Sequence, residues 1–316
     1  MSGDRKPLLA VLGPTATGKS ALGIAIAERV GGEIINCDST AVFRGFDIGT
    51  DKVPASERRG IPHHLVDIVP PEADYNAADF ARDAARAVRE IQARGRVPIL
   101  VGGTGFYFRA LTRGLFPGPA KDEALRSRLD ALAARHGTER VHRLLSRVDS
   151  ASAARILPRD RKRIVRALEV YFQTGQPLTA HFAKTVSALD PDVDVVAVAI
   201  QVPMDVLVPR LARRVDQQFE AGLLEEMRRN LAAGVPRTAR PFTGLVYRQA
   251  LEHLDGVRGA DETRALIVQE NRRYARRQLI WFRKEPNLMW FQGPGESLDT
   301  QARVFAWLAE RGLLYA

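Results

Sequence analysis

The chain has one cysteine, Cys37, so it cannot close a disulfide on itself or build a zinc site from thiolates. Its six histidines fall at no spacing that suggests metal coordination. No stretch approaches the roughly 20 apolar residues of a membrane helix. The apolar run in the opening MSGDRKPLLAVLG is too short for a secretory signal. These absences lead us to expect a soluble, cytoplasmic protein with no membrane partner. Internal repeats and low-complexity tracts are also missing. Lysine is scarce, with 7 against 40 arginines, yet the formal net charge is +10. Such an excess suits a nucleic acid or another polyanion. An Arg- and Ala-rich chain from a GC-rich genome would look the same, so charge alone leaves both readings open.

What is present is ordinary globular material, with 45% hydrophobic and 27% charged residues in 316. Short apolar runs at Leu8 to Leu12, Glu33 to Asn36, Leu65 to Val69, Val97 to Val101 and Val193 to Val202 alternate with helical stretches. Near-continuous Val, Ile and Leu runs of this kind are what a parallel sheet covered on both faces requires. The expected fold is α/β, a P-loop doubly wound parallel sheet, with helices after Val202. The long gap between the fourth and fifth runs opens at Pro117-Gly118-Pro119 and is helical and charged. It exceeds a normal crossover, which predicts an inserted helical subdomain over 117–195 within a catalytic core of 1–116 and 196–316.

The segment GPTATGKS joins the first apolar run to a helical stretch and comprises Gly13, Pro14, Thr15, Ala16, Thr17, Gly18, Lys19 and Ser20. In a P-loop, backbone N–H groups point at a diphosphate, the lysine adds positive charge and the Ser hydroxyl helps hold Mg²⁺. Phosphate hydrolases usually add an aspartate at the end of another core strand. Here VPILV ends in Gly102-Gly103-Thr104-Gly105 with no such acid, and Asp67 is only a weak substitute. Asp38 closes the second run, where ligands bind in open α/β sheets. It could serve as a general base, as a Mg²⁺ partner or simply as a turn residue. Thr104 offers a hydroxyl in a turn that lets backbone approach a ligand closely. Arg210 and Arg214 share a helical face. In ENRRYARRQLIWFRK, Arg272, Arg276 and Arg283 suit phosphate contacts, whereas Ile267, Tyr274 and Trp281 read as core. Arg159, Arg163 and Arg166, beside Lys162, give the expected insert a basic face.

Taken together, these residues resemble the bacterial tRNA dimethylallyltransferases. The resemblance runs in order through GPTATGKS, Asp38-Ser39, Gly45 to Thr50, Tyr75 to Phe80, LVGGTGFYFRAL, KRIVRALEVYFQTGQPLT, the Arg214 helix, Tyr247-Arg248-Gln249 and Tyr274 to Gln278 with Trp281. It implies transfer of a dimethylallyl group from dimethylallyl diphosphate to N6 of the adenosine at tRNA position 37, 3′ of the anticodon. In that scheme Asp38 takes the amino proton, and Lys19, Arg214 and Mg²⁺ at Ser20 stabilise the leaving diphosphate, with Thr104 also catalytic. The anticodon stem-loop would meet Asp38, Ser39, Thr40, Ala41, Thr104, Arg126, Lys162, Arg163, Ile164, Val165, Arg166, Tyr247 and Arg248, and a monomer is expected. Many members carry Gln at the position of Ala41, Gln-Arg at Lys162-Arg163 and Gly at Val246. The competing readings are an adenylate isopentenyltransferase, a small-molecule kinase and a nucleic-acid-binding protein that senses nucleotide.

Overall fold

The computed structural model describes residues 6–116, 118–182 and 185–314; Pro117, the expected start of the insert, lies outside them. Six parallel strands form one sheet in the order β3-β2-β4-β1-β5-β6. They are β1 (Lys6–Leu12), β2 (Gly32–Cys37), β3 (His63–His64), β4 (Val97–Gly102), β5 (Val193–Gln201) and β6 (Leu288–Gln292). Successive strand residues face opposite sides, and both sets are buried. Leu9, Val11, Ile34, Ile99, Val101, Val198 and Ile200 form one core with Leu22 and Ile26 of α1 (Lys19–Val30) and Val304 and Leu308 of α13 (Leu298–Ala309). The alternate set, Leu8, Ala10, Leu12, Ile35, Leu100 and Ala199, is equally covered.

α2 (Ala77–Ala93) begins where Asn76 accepts from the N–H groups of Ala78 and Asp79, and Asp79 returns a bond to the Asn76 N–H, a reciprocal capping box. Its buried stripe Ala77, Phe80, Ala81, Ala84, Val88 and Ile91 has helical spacing. Phe80 stacks on Tyr107 of α3 (Gly105–Arg113) with ring centroids 4.4 Å apart. After β5 come α9 (Met204–Glu220), α10 (Leu223–Ala232), α11 (Tyr247–Leu254) and the long α12 (Ala260–Phe282).

Two strand expectations change. The strand expected over Leu65 to Val69 is instead His63–His64, paired with Ile34 and Ile35. The Asn36 side-chain amide donates to the Leu65 carbonyl at 3.1 Å, and left-handed backbone at Leu65 (φ 60°) and Asp67 (φ 57°) turns the chain away. β6 adds a sixth strand where only helix was expected. It is a half-covered edge strand of mixed Leu, Met, Trp, Phe and Gln, so it lacks the continuous Val/Ile signature.

Residues 113–187 form a second compact unit and the rest of the chain the first. The expected 117–195 insert therefore starts four residues late and runs too far. Val193, Asp194 and Val195 already pair with Lys6, Pro7 and Leu8, so they are sheet. The second unit contains α4 (Glu123–His136), α5 (Thr138–Val148), α6 (Ser150–Arg155), α7 (Arg161–Thr174) and α8 (Leu178–Phe182) around Leu129, Val141, Leu145 and Leu168. Its polar centre is Glu169, fully buried on α7. Glu169 receives two bonds from Arg126 at 2.9 Å, one from Arg166 at 2.6 Å and one from the Asp122 N–H. Desolvation pushes this carboxyl up, but the bonds from Arg126 and Arg166 outweigh it and hold the pKa at about 2.

At Gly105 α3 packs closely on α12, and a Cβ there would lie 2.1 Å from the Trp281 ring. Gly105→Ala is therefore expected to cost about 1–3 kcal/mol by overpacking. The loss would be read as a lower urea midpoint with unchanged far-UV dichroism.

Candidate active site

The ladder register aligns the carboxyl ends of the central strands. Cys37 of β2 pairs with Gly102 of β4, Gly102 with Leu12 of β1, and Leu12 with Ala199 of β5. The residues that follow, Asp38, Gly103 and Gly13, thus emerge side by side at the strand ends where open α/β sheets bind ligands. A cavity of about 420 Å³ opens there, lined among others by Thr15, Lys19, Ser20, Asp38, Thr40, Gly103, Arg214 and Tyr274.

Gly13 to Gly18 wrap into a loop before α1, with Gly18 left-handed at φ 82° as the N-cap and Lys19 and Ser20 as the first two helix residues. The first N–H groups of a helix have no partner within it and favour an anion. Not every loop residue can offer an N–H. Pro14 has none; its carbonyl instead accepts from Thr17 Oγ1 at 2.9 Å and from Lys19 Nζ. Thr17 is fully buried, and the Thr15 N–H is already given to Gln278 Oε1 at 2.9 Å. The groups that remain for a phosphate are the N–H groups from Ala16 to Ser20 and the Lys19 ammonium. Ser20 lines the cavity with an exposed hydroxyl, an oxygen donor of the kind Mg²⁺ takes when phosphate oxygens complete its shell.

Asp38 divides its carboxylate between two tasks. Oδ1 accepts from the Thr40 N–H at 2.8 Å and from Thr40 Oγ1 at 2.6 Å, while Oδ2 takes no hydrogen bond among the described residues. A turn residue and a candidate base are thus the same side chain. Thr104 Oγ1 accepts from the Ser39 N–H at 3.2 Å and meets the Tyr274 hydroxyl. Burial, then the nearby Asp38 charge, pushes the Tyr274 phenol well above its ordinary range, so it is a hydrogen-bond donor. Cys37 is buried beneath them and its thiol is likewise pushed up by desolvation, which makes it inert.

The arginines of α9 grip the loop. Arg210 Nε donates to the Ala16 carbonyl at 2.8 Å and pairs with Glu296 at 2.6 Å. Arg214 donates to Thr15 Oγ1 at 2.5 Å and pairs with Asp51, also at 2.5 Å. Three residues here escape the sequence reading. Tyr274, expected in the core, faces the cavity. Gln278 bonds both the Thr15 N–H and the Gly103 carbonyl, tying the β1 loop to the β4 loop. Tyr274 and Gln278 stand four apart in YARRQ, so helical spacing links them, but nothing local says what their face meets. Asp51 carries no local signal, because it reaches the site through a left-handed turn at φ 52°.

Other expected contacts are not available. Tyr247 is buried, its hydroxyl donating to Glu226 at 2.6 Å and accepting from the Gly49 N–H at 2.9 Å. Ile164 and Val165 are core residues of the second unit, so their side chains cannot meet RNA. Arg126 and Arg166 are committed to Glu169, whereas Lys162, Arg163 and Arg248 are exposed. Ala41 lines the cavity wall. Val246 sits at φ 72° and ψ −63°, and the Tyr247 N–H bonds back to the Leu245 carbonyl at 2.9 Å. This is the rare γ-turn, strained for a β-branched residue, and glycine at that position would relieve the strain.

The sequence profile of the IPP transferase family matches residues 41–285. The tRNA dimethylallyltransferase of Geobacter metallireducens is 45% identical over 293 residues, covering 93% of this chain and 94% of the relative. The chain belongs to this family. The Solibacter usitatus tRNA dimethylallyltransferase is 46% identical over 291 residues, 92% of this chain and 94% of its own length. Among solved structures, the Bacillus halodurans tRNA isopentenylpyrophosphate transferase aligns with TM-score 0.72 and 36% identity, covering 98% of this chain and 97% of that one. A eukaryotic dimethylallyltransferase acting on tRNA aligns with TM-score 0.77 and 26% identity, over 97% of this chain and 79% of the other.

In this family member Lys19 is electrostatically poised. Burial, and secondarily the Arg214 charge, lower the Lys19 pKa to about 7, against the pull of Asp38 and Asp51. A bound diphosphate favours the ammonium, so above pH 7 binding must take up a proton. Affinity for inorganic diphosphate is therefore expected to fall as pH rises from 7 to 9, by up to about tenfold per unit. Calorimetry across that range checks it, with Lys19→Met expected to lose this component.

Proposed function

We propose that this enzyme transfers a dimethylallyl group from dimethylallyl diphosphate to N6 of the adenosine 3′ of the anticodon in tRNA, at position 37, releasing diphosphate. The observation that carries this reading is the meeting, in one cavity, of a diphosphate cradle and a carboxylate with a free oxygen. The adenine amine attacks the allylic carbon, the C–O bond breaks and its electrons leave on the diphosphate. Asp38 Oδ2 takes the amino proton. Lys19, the N–H groups around Gly18 and Arg214 offset the charge growing on the leaving group. Mg²⁺, held by Ser20 and the diphosphate oxygens, would supply further charge neutralisation. An exocyclic amine is a weak nucleophile, so orientation is needed as well as a base. Thr104 and Tyr274 stand beside Asp38 to provide it.

A macromolecular acceptor is favoured over a free nucleotide by arginines that have no ion-pair partner among the described residues. Arg248 on α11 and Arg272, Arg276 and Arg283 at α12 are all exposed. A target base in a single-stranded loop can leave its stack for a few kcal/mol. The protein is expected to act as a monomer in the cytoplasm.

Labelled dimethylallyl diphosphate offered to unmodified tRNA, AMP and ATP tests the proposal. Label in tRNA alone supports it; label in a free nucleotide, or ATP turnover without prenyl transfer, sinks it. Asp38→Asn keeps the Oδ1 turn and removes basicity, so turnover should drop roughly 10² to 10⁴-fold with tRNA binding retained. Near-normal turnover would remove Asp38 from the role of base. Arg276→Gln should reduce the salt slope of tRNA binding by about 0.7 to 0.9 if it meets one phosphate, and an unchanged slope would exclude that contact.

A further inference from the structure

One acidic side chain faces the diphosphate cradle without a part in the transfer. Asp51 lines the main cavity and a second one beside it, so its pair with Arg214 stands in their common wall. Oδ2 holds Arg214 Nη2 at 2.5 Å and Oδ1 accepts from Gln218 Nε2 at 2.9 Å. The loop that carries it is tied down. Glu226 Oε2 accepts from the N–H groups of Asp47 and Ile48 at 2.8 and 2.9 Å, and the Tyr247 hydroxyl takes the Gly49 N–H. Lys52 pairs with Asp47 and Asp67. The backbone just before Asp51 is therefore fixed by its hydrogen bonds to Glu226 and Tyr247.

Among the charges that line the cavity, Arg58 has no ion-pair partner among the described residues, its Nε donating to the Val53 carbonyl. Lys19 and Arg214 are opposed by Asp38 and Asp51, while the nearby Lys52 is already neutralised by two carboxylates. A diphosphate arriving here meets Arg214 with one edge of its guanidinium occupied by Asp51 and another by Thr15. We propose, on the reading of the cavity as a diphosphate site, that Asp51 is a built-in competing anion that weakens the hold on diphosphate and so speeds its release after transfer. Arg214 does not depend on Asp51 alone for its position, because Thr15 Oγ1 anchors it from the loop side. Removal of the charge therefore frees a guanidinium edge more than it disorders the side chain. A full negative charge held on the guanidinium that a bound anion would meet costs on the order of tenfold in affinity at protein-like dielectric.

Asp51→Asn is isosteric, keeps an acceptor for Arg214 and tolerates the left-handed backbone. Asp51→Gly removes the side chain and suits the same φ. Calorimetry with inorganic diphosphate in Mg²⁺ buffer is expected to show both variants binding about tenfold tighter than the unaltered protein. The donor KM and kcat should both fall as product release slows. Unchanged or weaker binding in either variant overturns the proposal, and weaker binding in both would make Asp51 a positioning residue for Arg214. An unaltered protein that binds no diphosphate would sink the diphosphate reading and this inference with it, an outcome distinct from a failure confined to the variants.

Discussion

The register of four parallel strands is the constraint on which the site depends. Backbone hydrogen bonds place Cys37, Gly102, Leu12 and Ala199 in one row across the sheet. Neighbouring strands lie about 4.8 Å apart, so the loops after β1, β2 and β4 must share a small volume. Glycine is what permits the crowding. A Cβ at Gly102 would sit 2.1 Å from the Cys37 carbonyl oxygen, and one at Gly13 would sit 2.5 Å from that of Ile200. A one-residue slip in any of these ladders would move every strand side chain to the opposite face of the sheet and against the wrong helices, so the hydrophobic core and the site are specified together.

Loops at strand ends are poorly constrained by the sheet itself, and side chains from later helices complete the job. Gln278 spans the β1 and β4 loops with one amide, Arg210 and Arg214 hold the phosphate loop from α9, and Glu226 with Tyr247 holds the loop that bears Asp51. Each bond is worth only about 0.5–1.5 kcal/mol net. Together they order backbone that would otherwise lose its entropy only on binding, which is how a site is pre-organised before its ligand arrives. The second unit uses the same device on its own scale, with two arginines fixing one buried carboxylate.

The chemistry follows from what the cradle does and does not contain. A phosphate loop whose neighbouring strand ends in Gly-Gly-Thr lacks the aspartate that hydrolases place there. Breaking a C–O bond to diphosphate needs charge stabilisation on the leaving group and a base for the incoming amine, and no attack on phosphorus. On the function proposed above, Lys19 and Arg214 on one side and Asp38 on the other would meet those needs. The family relatives, nearly half identical over almost the whole chain, are named tRNA dimethylallyltransferases.

Local signals were enough for four of the six strands and for the helical stretch between β4 and β5, and they singled out Asp38, Lys19 and Thr104, which the fold gathers near the carboxyl ends of the strands. In each case periodicity, glycine spacing or a residue at a strand end states its own reason. They were insufficient wherever a role depends on what packs opposite. Tyr274 lies in the same helical stripe as core residues and differs only in facing a cavity. Tyr247 and Ile164 sit in basic, motif-bearing stretches yet point inward. Arg166 reads as a free cation until Glu169 is seen beneath it. Asp51 joins the site because the chain turns left-handed and Arg214, 163 residues further along, arrives beside it. The sequence by itself determined which chemical groups and which elements exist; the tertiary structure decided their partners, because burial and pairing depend on contacts between residues far apart in the chain.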